Sequence, residues 1–324
     1  MRLQIVALGR CLPSRCVSNQ ELEPLLQRSA PWIEKRCGVR TRYWVNKETA
    51  PGLAAEAARE ALLKSGLAVG DIDLVINASG TPWQVLPDGS AWQQRELGLN
   101  CSGFSVHSTC LGFLNALEIA GSFLQTGAYR NILITVSEVC SRALNFQHPE
   151  SAALFGDGAV AAVVRATPPG EDSGLLKTLF RTYPQGCELT EIRGGGSRRH
   201  PADPATKPED NLFSMNGPAL LRLARELLPV FLEELMPGLS RGLNDVDRVF
   251  PHQASRLGLS ILSRFGWPAE KTETVLAELG NVVAASIPLC LYQAQEAGRL
   301  VRGGKVLLLG TGAGFSMGAV LMRY

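Results

Sequence analysis

The sequence predicts an α/β protein made of two similar halves, and three observations carry that reading. Short runs rich in Val, Ile and Leu alternate with segments of helical period, the pattern of buried strands joined through helices. The order of residues 131–164 recurs near the carboxyl end. Asn131-Ile-Leu-Ile-Thr-Val followed by Gly156-Asp-Gly-Ala-Val-Ala-Ala-Val-Val corresponds to Lys305-Val-Leu-Leu-Leu-Gly followed by Gly318-Ala-Val-Leu-Met, as in a duplicated unit. Finally, 324 residues at ~150 per domain allow about two domains.

In the first half, Leu3–Leu8, Leu74–Ala78, Asn131–Val136 and Val160–Val164 read as strands. Leu53–Ser65 reads as an Ala-rich helix closed by Gly66, and Leu111–Gln125 as a helix apolar nearly all round and therefore central. The second half repeats the order with helix Pro218–Leu235, strand Arg248–Pro251, helices Arg256–Phe265 and Val282–Glu296, and strands Lys305–Leu309 and Met317–Arg323. Continuous apolar strands joined through helices favour a largely parallel sheet covered on both faces. The duplication sets the helix beginning at Cys110 opposite the one beginning near Asn281, with a polar side chain at each start. Between the halves, Glu191–Asn211 contains Gly194-Gly195-Gly196, Arg198-Arg199-His200 and three prolines. That composition reads as a long mobile loop, either a solvated excursion or a lid over a site at the junction.

Lys and Arg total 32 against 30 Asp and Glu, a formal charge of +2, too near neutral for a nucleic-acid footprint. The apolar run that opens the chain is too short for a signal peptide, and no stretch approaches the ~18 apolar residues of a membrane span. A cytoplasmic protein with neither nucleic acid nor membrane as partner is expected. Eight cysteines without a C-x-x-C pair read as ordinary reduced thiols.

Three segments could carry chemistry. His107-Ser-Thr-Cys110-Leu-Gly-Phe places a cysteine where an apolar helix begins, and the helix dipole there favours thiolate. A cysteine among apolar residues is also a common core residue. Phe250-Pro-His252-Gln-Ala sets a histidine just after a short strand, where sites of α/β proteins gather. Gly280-Asn281 stands at a helix start, which N-capping alone would explain. Two glycine-rich segments are read as structural. Gly156-Asp157-Gly158 lacks the Lys-Ser/Thr of a phosphate loop, and Gly310-Thr-Gly-Ala-Gly lacks the following helix of a dinucleotide site.

Taken together, Cys110, His252 and Asn281 with their flanks resemble the Cys-His-Asn triad of the β-ketoacyl-acyl-carrier-protein synthase III family, in the thiolase superfamily. The resemblance spans the chain. It includes Trp32-Ile-Glu-Lys-Arg-Cys-Gly-Val-Arg, Phe155-Gly-Asp-Gly-Ala, Met215-Asn-Gly, His252-Gln-Ala, Gly280-Asn281 with Ala-Ala-Ser-Ile-Pro, and Gly312-Ala-Gly-Phe. It implies a thiolase-like α/β fold of duplicated halves, residues 1–170 and 171–324, in a five-layer α-β-α-β-α arrangement with two mixed sheets.

For function, the resemblance implies acyl transfer from acyl-CoA to Cys110, then decarboxylative Claisen condensation with a malonyl thioester carried, in this family's manner, on acyl carrier protein, giving a β-ketoacyl thioester. His252 and Asn281 would donate to the malonyl carbonyl. The backbone N–H groups of Cys110 and Ala313 would form the acyl-transfer oxyanion hole. Trp32 and Arg36 match adenine-stacking and CoA-phosphate positions, Asn216 a substrate-binding one, and Arg256 would dock the acidic carrier. No cofactor is needed beyond these substrates, and a homodimer is expected.

The chain departs from the family's pattern at several places. Glu150 falls where a basic residue covers the adenine, Ser255 where Asn is usual, and Thr311 where an aromatic narrows the acyl pocket. Leu86 falls where the neighbouring subunit enters the active-site tunnel, and where head-to-head condensing relatives carry a Glu base. Glu150 argues against tight CoA binding in the usual pose, Thr311 and Leu86 favour a medium or long acyl primer, and the lack of a carboxylate at Leu86 favours decarboxylative chemistry. Two other readings stand beside it: an acyltransferase serving a small-molecule acceptor, and a non-catalytic subunit of a heterodimer.

Overall fold

The computed structural model describes residues 1–324. Nine strands form the two principal sheets: β1 (Gln4–Cys11), β2 (Leu74–Asn77), β3 (Ser102–Ser105), β4 (Asn131–Glu138), β5 (Gly158–Arg165), β6 (Gly174–Thr182), β7 (Arg248–Pro251), β8 (Lys305–Gly312) and β9 (Ser316–Arg323). The first sheet runs β1-β5-β4-β2-β3 and the second β7-β8-β9-β6. In the first, β2 pairs in parallel with β3 and β4, while β5 is antiparallel to both β4 and β1. In the second, β7 and β8 are parallel and the two remaining pairings antiparallel. Both sheets are therefore mixed, which corrects the largely parallel sheet expected from apolar runs alone. A continuous apolar strand reports burial on both faces, and burial is indifferent to strand direction.

The sheets match strand for strand, β2-β4-β5-β1 against β7-β8-β9-β6. Even β3 has a remnant counterpart, a single parallel bridge between Val249 and Thr272 beside β7.

Six helices position the site: α1 (Ala30–Cys37), α2 (Ala50–Ser65), α3 (Gly112–Thr126), α4 (Gly217–Leu235), α5 (Arg256–Ser260) and α6 (Ser286–Glu296). Thr49 caps α2, its side chain accepting the Gly52 N–H, and Gly66 ends it in the left-handed region. The middle layer is α3 and α6. Leu117, Ala120, Leu291 and Ala294 are fully buried there in one cluster with Ile76 and Ile134 of the first sheet and Leu308 and Val320 of the second. Residues of opposite parity face outward: Val75, Leu133 and Val163 meet α2, and Leu307 and Leu309 meet α4. The layers thus run α2, first sheet, α3 with α6, second sheet, α4. Each fully buried leucine in that middle layer contributes roughly 1.5–3 kcal/mol.

Seven strands and four helices read from the sequence lie within four residues of their observed bounds, and other elements escape that reading. β6 was not foreseen because Leu-Leu-Lys-Thr-Leu lies on an edge and mixes exposed with buried positions. α1 and the helix Gly89–Leu97 carry weak apolar periodicity. The expected helix Arg256–Phe265 breaks after Ser260 into a 3-10 turn, Leu262–Phe265. Ion pairs brace the stretch 191–211: Asp210 is buried and paired with Arg193 at 3.0 Å, and Arg198 pairs with Glu191 at 2.8 Å.

Candidate active site

Cys110 does not occupy the first turn of α3 but a tight 3-10 turn, Thr109–Leu111, just ahead of it. The same device stands ahead of α6, where the 3-10 turn is Val283–Ala285. Each turn opens with a β-branched residue at positive φ, Thr109 at 46° and Val283 at 41°, a strained conformation for such residues. The partner of Cys110 under this pseudo-symmetry is Ala284. Asn281 therefore precedes its turn instead of beginning a helix, correcting the sequence-based placement. Its backbone bridges the Phe155 segment, the Asn281 N–H donating to Leu154 O at 2.8 Å and its carbonyl accepting the Gly156 N–H at 3.1 Å.

The two glycines that end β8 let the second sheet close on the Cys110 turn. A Cβ on Gly312 would stand 2.7 Å from Thr109 Oγ1, and one on Gly310 would stand 3.1 Å from both His252 Cβ and Leu111 Cδ2. Any side chain at either position would force them apart. The N–H groups of the next residue, Ala313, and of Cys110 itself lie near enough to the Cys110 sulfur to favour its charged form. These are the two donors that the resemblance implies.

His252 follows β7 and is held through its backbone, its N–H donating to Leu309 O at 2.8 Å. Its Nδ1 is buried and has no hydrogen-bond partner. Asn281 is oriented by its own turn: Oδ1 accepts the Val283 N–H at 2.9 Å, and Nδ2 donates to Ala254 O at 3.4 Å. Ala254 N–H in turn donates to His252 O at 3.0 Å, which joins the histidine and asparagine segments.

Burial sets the protonation of the site. It pushes the Cys110 thiol up to about 12, with the Glu138 carboxylate adding to the rise and the two N–H groups opposing it. It holds the His252 imidazole down at about 4. Against the expectation that a helix start would favour thiolate, desolvation here exceeds the pull of the turn's dipoles. Cysteine and histidine rest as a neutral pair.

The other sequence-derived positions divide into two groups. Trp32 is half-buried on α1, with the Arg28 guanidinium 5.3 Å from its ring centre. Arg36 on the same helix is taken by Glu150, at 2.7 Å. The acidic residue thus occupies the very arginine expected to meet a CoA phosphate. Arg256 is exposed at the start of α5 and its side-chain stem packs on Gly38 at the end of α1, placing it on the same rim. Ser255, the departure beside it, caps α5 by accepting the Gly258 N–H at 3.1 Å. Asn216 caps α4, its Oδ1 accepting the Ala219 N–H at 3.2 Å. Thr311 projects to the face of β8 opposite Gly310 and Gly312, so the room its small side chain leaves is not beneath Cys110. Leu86 is 80% exposed on the loop after β2, beside Val85 at 77%. Asp157 is buried and accepts from the Val45 N–H, the Ser141 N–H and the Ser141 hydroxyl, the structural role read for that turn.

Two residues of the site went unnoticed in the sequence. Gln253 is fully buried. Its Oε1 accepts from Thr274 Oγ1 at 2.7 Å and from the N–H groups of Val275 and Leu276 at 3.2 Å, while Nε2 donates to Pro251 O at 2.7 Å. It clasps the His252 loop to the segment leading to Asn281. Glu138, fully buried at the end of β4, is the other. A carboxylate closing the apolar run Ile-Leu-Ile-Thr-Val-Ser was the available signal.

A duplicated five-layer fold with Cys110 in the turn ahead of one central helix, Asn281 just before the matching turn, and His252 on the strand end packed against the first turn through Gly310 is that of a thiolase-like condensing enzyme. Models of 3-oxoacyl-[acyl-carrier-protein] synthase III match residues 104–184, and those of its C-terminal region match residues 240–324. The chain is 35% identical to a β-ketoacyl-[acyl-carrier-protein] synthase III of Syntrophomonas wolfei over 100% of this chain and 98% of that one. It is 36% identical to another from Rhizorhabdus wittichii, over 100% and 99%. Among solved structures, the synthase III of Aquifex aeolicus superposes with a TM-score of 0.88 at 30% identity, covering 99% of this chain and all of that one. OleA of Xanthomonas campestris, at 21% identity and a TM-score of 0.87 over 100% and 98% of the two chains, shares the fold. This chain belongs to the β-ketoacyl-acyl-carrier-protein synthase III family and is an acyltransferase of the condensing type.

Proposed function

We propose that the chain extends an acyl primer by two carbons through Cys110. The thiol gives up its proton as its sulfur attacks the acyl thioester, and the departing thiolate takes up a proton, leaving an acyl-cysteine. A malonyl thioester then binds. Its carboxylate leaves as carbon dioxide, negative charge grows on the thioester oxygen, and the carbanion attacks the acyl-cysteine to release a β-ketoacyl thioester and restore the sulfur. His252 and Asn281 donate to that growing oxyanion, while the N–H groups of Cys110 and Ala313 serve the tetrahedral intermediate at the sulfur.

One observation carries this reading above the others. The imidazole of His252 is neutral and the amide of Asn281 has its oxygen engaged by Val283, so both offer N–H donors without a mobile proton. Neutral donors stabilise an enolate and leave its carbon unprotonated. Decarboxylation supplies the carbanion, so no base is needed where Leu86 stands, and no cofactor enters.

The remaining parts of the proposal follow from the same site. The donor is an acyl-CoA, with a medium or long chain preferred at a tunnel bordered by Leu86. Trp32, Arg36 and Asn216 contact the incoming thioester arm, and Arg256 meets an acidic carrier protein that brings malonate. The halves divide at 170/171, two copies make the working enzyme, and it acts in the cytoplasm; no helix is long and apolar enough to cross a membrane.

Intact-mass measurement after exposure to acetyl-, octanoyl- and dodecanoyl-CoA tests the scheme. One acyl mass is expected on the wild type and none on Cys110→Ala. The longer chains should load faster, since each methylene buried adds up to ~0.8 kcal/mol. Loading of Cys110→Ala would remove the nucleophile assignment, and acetyl loading about tenfold faster than octanoyl, or ~1.4 kcal/mol, would remove the chain-length assignment.

A further inference from the structure

Glu138 has no exposed surface and takes part in none of the steps above. Its Oε1 accepts the N–H of Gly80 at 2.7 Å and of Ala284 at 3.3 Å, and its Oε2 accepts the N–H and hydroxyl of Thr81 at 2.8 and 2.7 Å. The donors come from two places, the loop after β2 and the 3-10 turn ahead of α6. In that turn the preceding N–H, of Val283, is the one that holds Asn281 Oδ1.

Gly80 extends the connection to the other turn. A Cβ on it would lie 2.9 Å from Val283 Cγ1 and 3.3 Å from the carbonyl carbon and oxygen of Thr109, the residue before Cys110. The turns bearing Cys110 and leading from Asn281 thus meet at Gly80, and Glu138 fixes both Gly80 and Ala284. Thr109 and Val283 are each strained at positive φ. Such residues persist only where their surroundings hold them.

We propose that Glu138 is a positioning residue, a buried carboxylate strut that holds the Cys110 turn and the Asn281 turn in one fixed relation. The proposal rests on the roles given above to Cys110 and Asn281. Glutamine cannot replace the carboxylate, because it offers one acceptor oxygen and sets its NH2 group against N–H donors. The charge has a second effect. Burial raises the Glu138 carboxyl to about 7, so above that pH its charge stands close enough to Cys110 to oppose loss of the thiol proton. The other titratable group that senses it is Cys140, on the 3-10 turn after β4, while residues 80–81 and 283–285 bring none.

The test compares wild type, Glu138→Gln and Gly80→Ala. Octanoyl loading, malonyl decarboxylation, and iodoacetamide alkylation of Cys110 from pH 7 to 10, read by peptide mass, are measured on each. Glu138→Gln should lose at least about tenfold in loading and decarboxylation, since displacement by an ångström can cost ~100-fold. Its Cys110 should nonetheless alkylate at least about threefold faster at pH 8.5, because a neighbouring negative charge is gone. Gly80→Ala wedges the turns apart with the charge kept, so both rates should fall with the pH dependence of alkylation unchanged.

Loading and decarboxylation within about twofold of wild type in Glu138→Gln, well short of the misplacement penalty, would overturn the proposal. If that variant does not fold, Gly80→Ala decides alone, and near wild-type rates there overturn it equally. A wild type that neither loads acyl groups nor releases carbon dioxide would sink the proposed reaction instead. Alkylation would still answer for Glu138 in that case: faster in Glu138→Gln supports the strut's contact with the cysteine, and an unchanged rate refutes it.

Discussion

At the scale of single residues, the site is set by what burial does to two titratable groups. With the Cys110 thiol pushed up to about 12 and the His252 imidazole held down at about 4, the cysteine keeps its proton and the histidine stays neutral. An imidazole free in water titrates near pH 6.5, so the unfolded chain binds a proton between pH 6.5 and about 4 that the folded chain refuses. The stability His252 gives is therefore complete above pH 6.5 and lost as the pH falls toward 4. Followed by NMR between pH 5.5 and 8, its ring signals should stay fixed; a midpoint near 6.5 for this residue would refute the neutral-donor argument. Replacing either His252 or Asn281 with Ala should cost decarboxylation roughly 2.7–4 kcal/mol of transition-state stabilisation while acyl loading persists. The opposite pattern in both variants, loading lost and decarboxylation kept, would reverse the two tasks.

At the scale of elements, the interest lies in how short irregular segments hold those residues. The strands and long helices were legible because apolar period and burial coincide, as in Asn131–Glu138 or Gly217–Leu235. Cys110, His252 and Asn281 were legible from their flanking motifs. The turns around them were not, since a 3-10 turn opening on a β-branched residue at positive φ runs against local preference and is imposed by tertiary contacts. Gln253 shows the same limit: nothing in Pro-His-Gln-Ala announces that its amide will satisfy two backbone N–H groups twenty residues onward. The segment it clasps is anchored again at Glu273, buried between Arg248 at 2.9 Å and Arg299 at 2.8 Å. Gln253→Ala leaves buried donors at Val275 and Leu276 without their acceptor, so unfolding free energy should drop by about 1–3 kcal/mol. Denaturant titration checks this, and decarboxylation should suffer more than loading because the His252 loop is what moves. An unchanged midpoint would mean that water or Thr274 replaces the clasp.

At the scale of the whole molecule, one edge of the fold is left unfinished. In the first sheet β3 is the outermost strand, with Ser102 and Gly103 exposed, and offers unpaired backbone groups along its free side. The second sheet has no equivalent full strand. On the loop after β2, in the same half of the chain, stand Trp83 at 45%, Val85 at 77% and Leu86 at 80% exposure, a run of large apolar side chains that water disfavours. A second copy of this chain satisfies both features at once, since two free edges can pair about a two-fold axis and each loop can then reach across to its neighbour. A stable association of this kind buries ~1,200–2,000 Å² in total, which a strand edge and an apolar loop together can supply where either alone falls short. Light scattering at micromolar concentration should accordingly give the mass of two 34.9 kDa chains. Val85→Asp combined with Leu86→Asp should shift the mass toward one chain, because two buried carboxylates without partners cost several kcal/mol. Acyl loading should fall with the dimer, as the neighbouring loop is proposed to border the tunnel. A wild type that runs as a single chain, with acyl loading intact, would separate the function from the edge and the loop altogether.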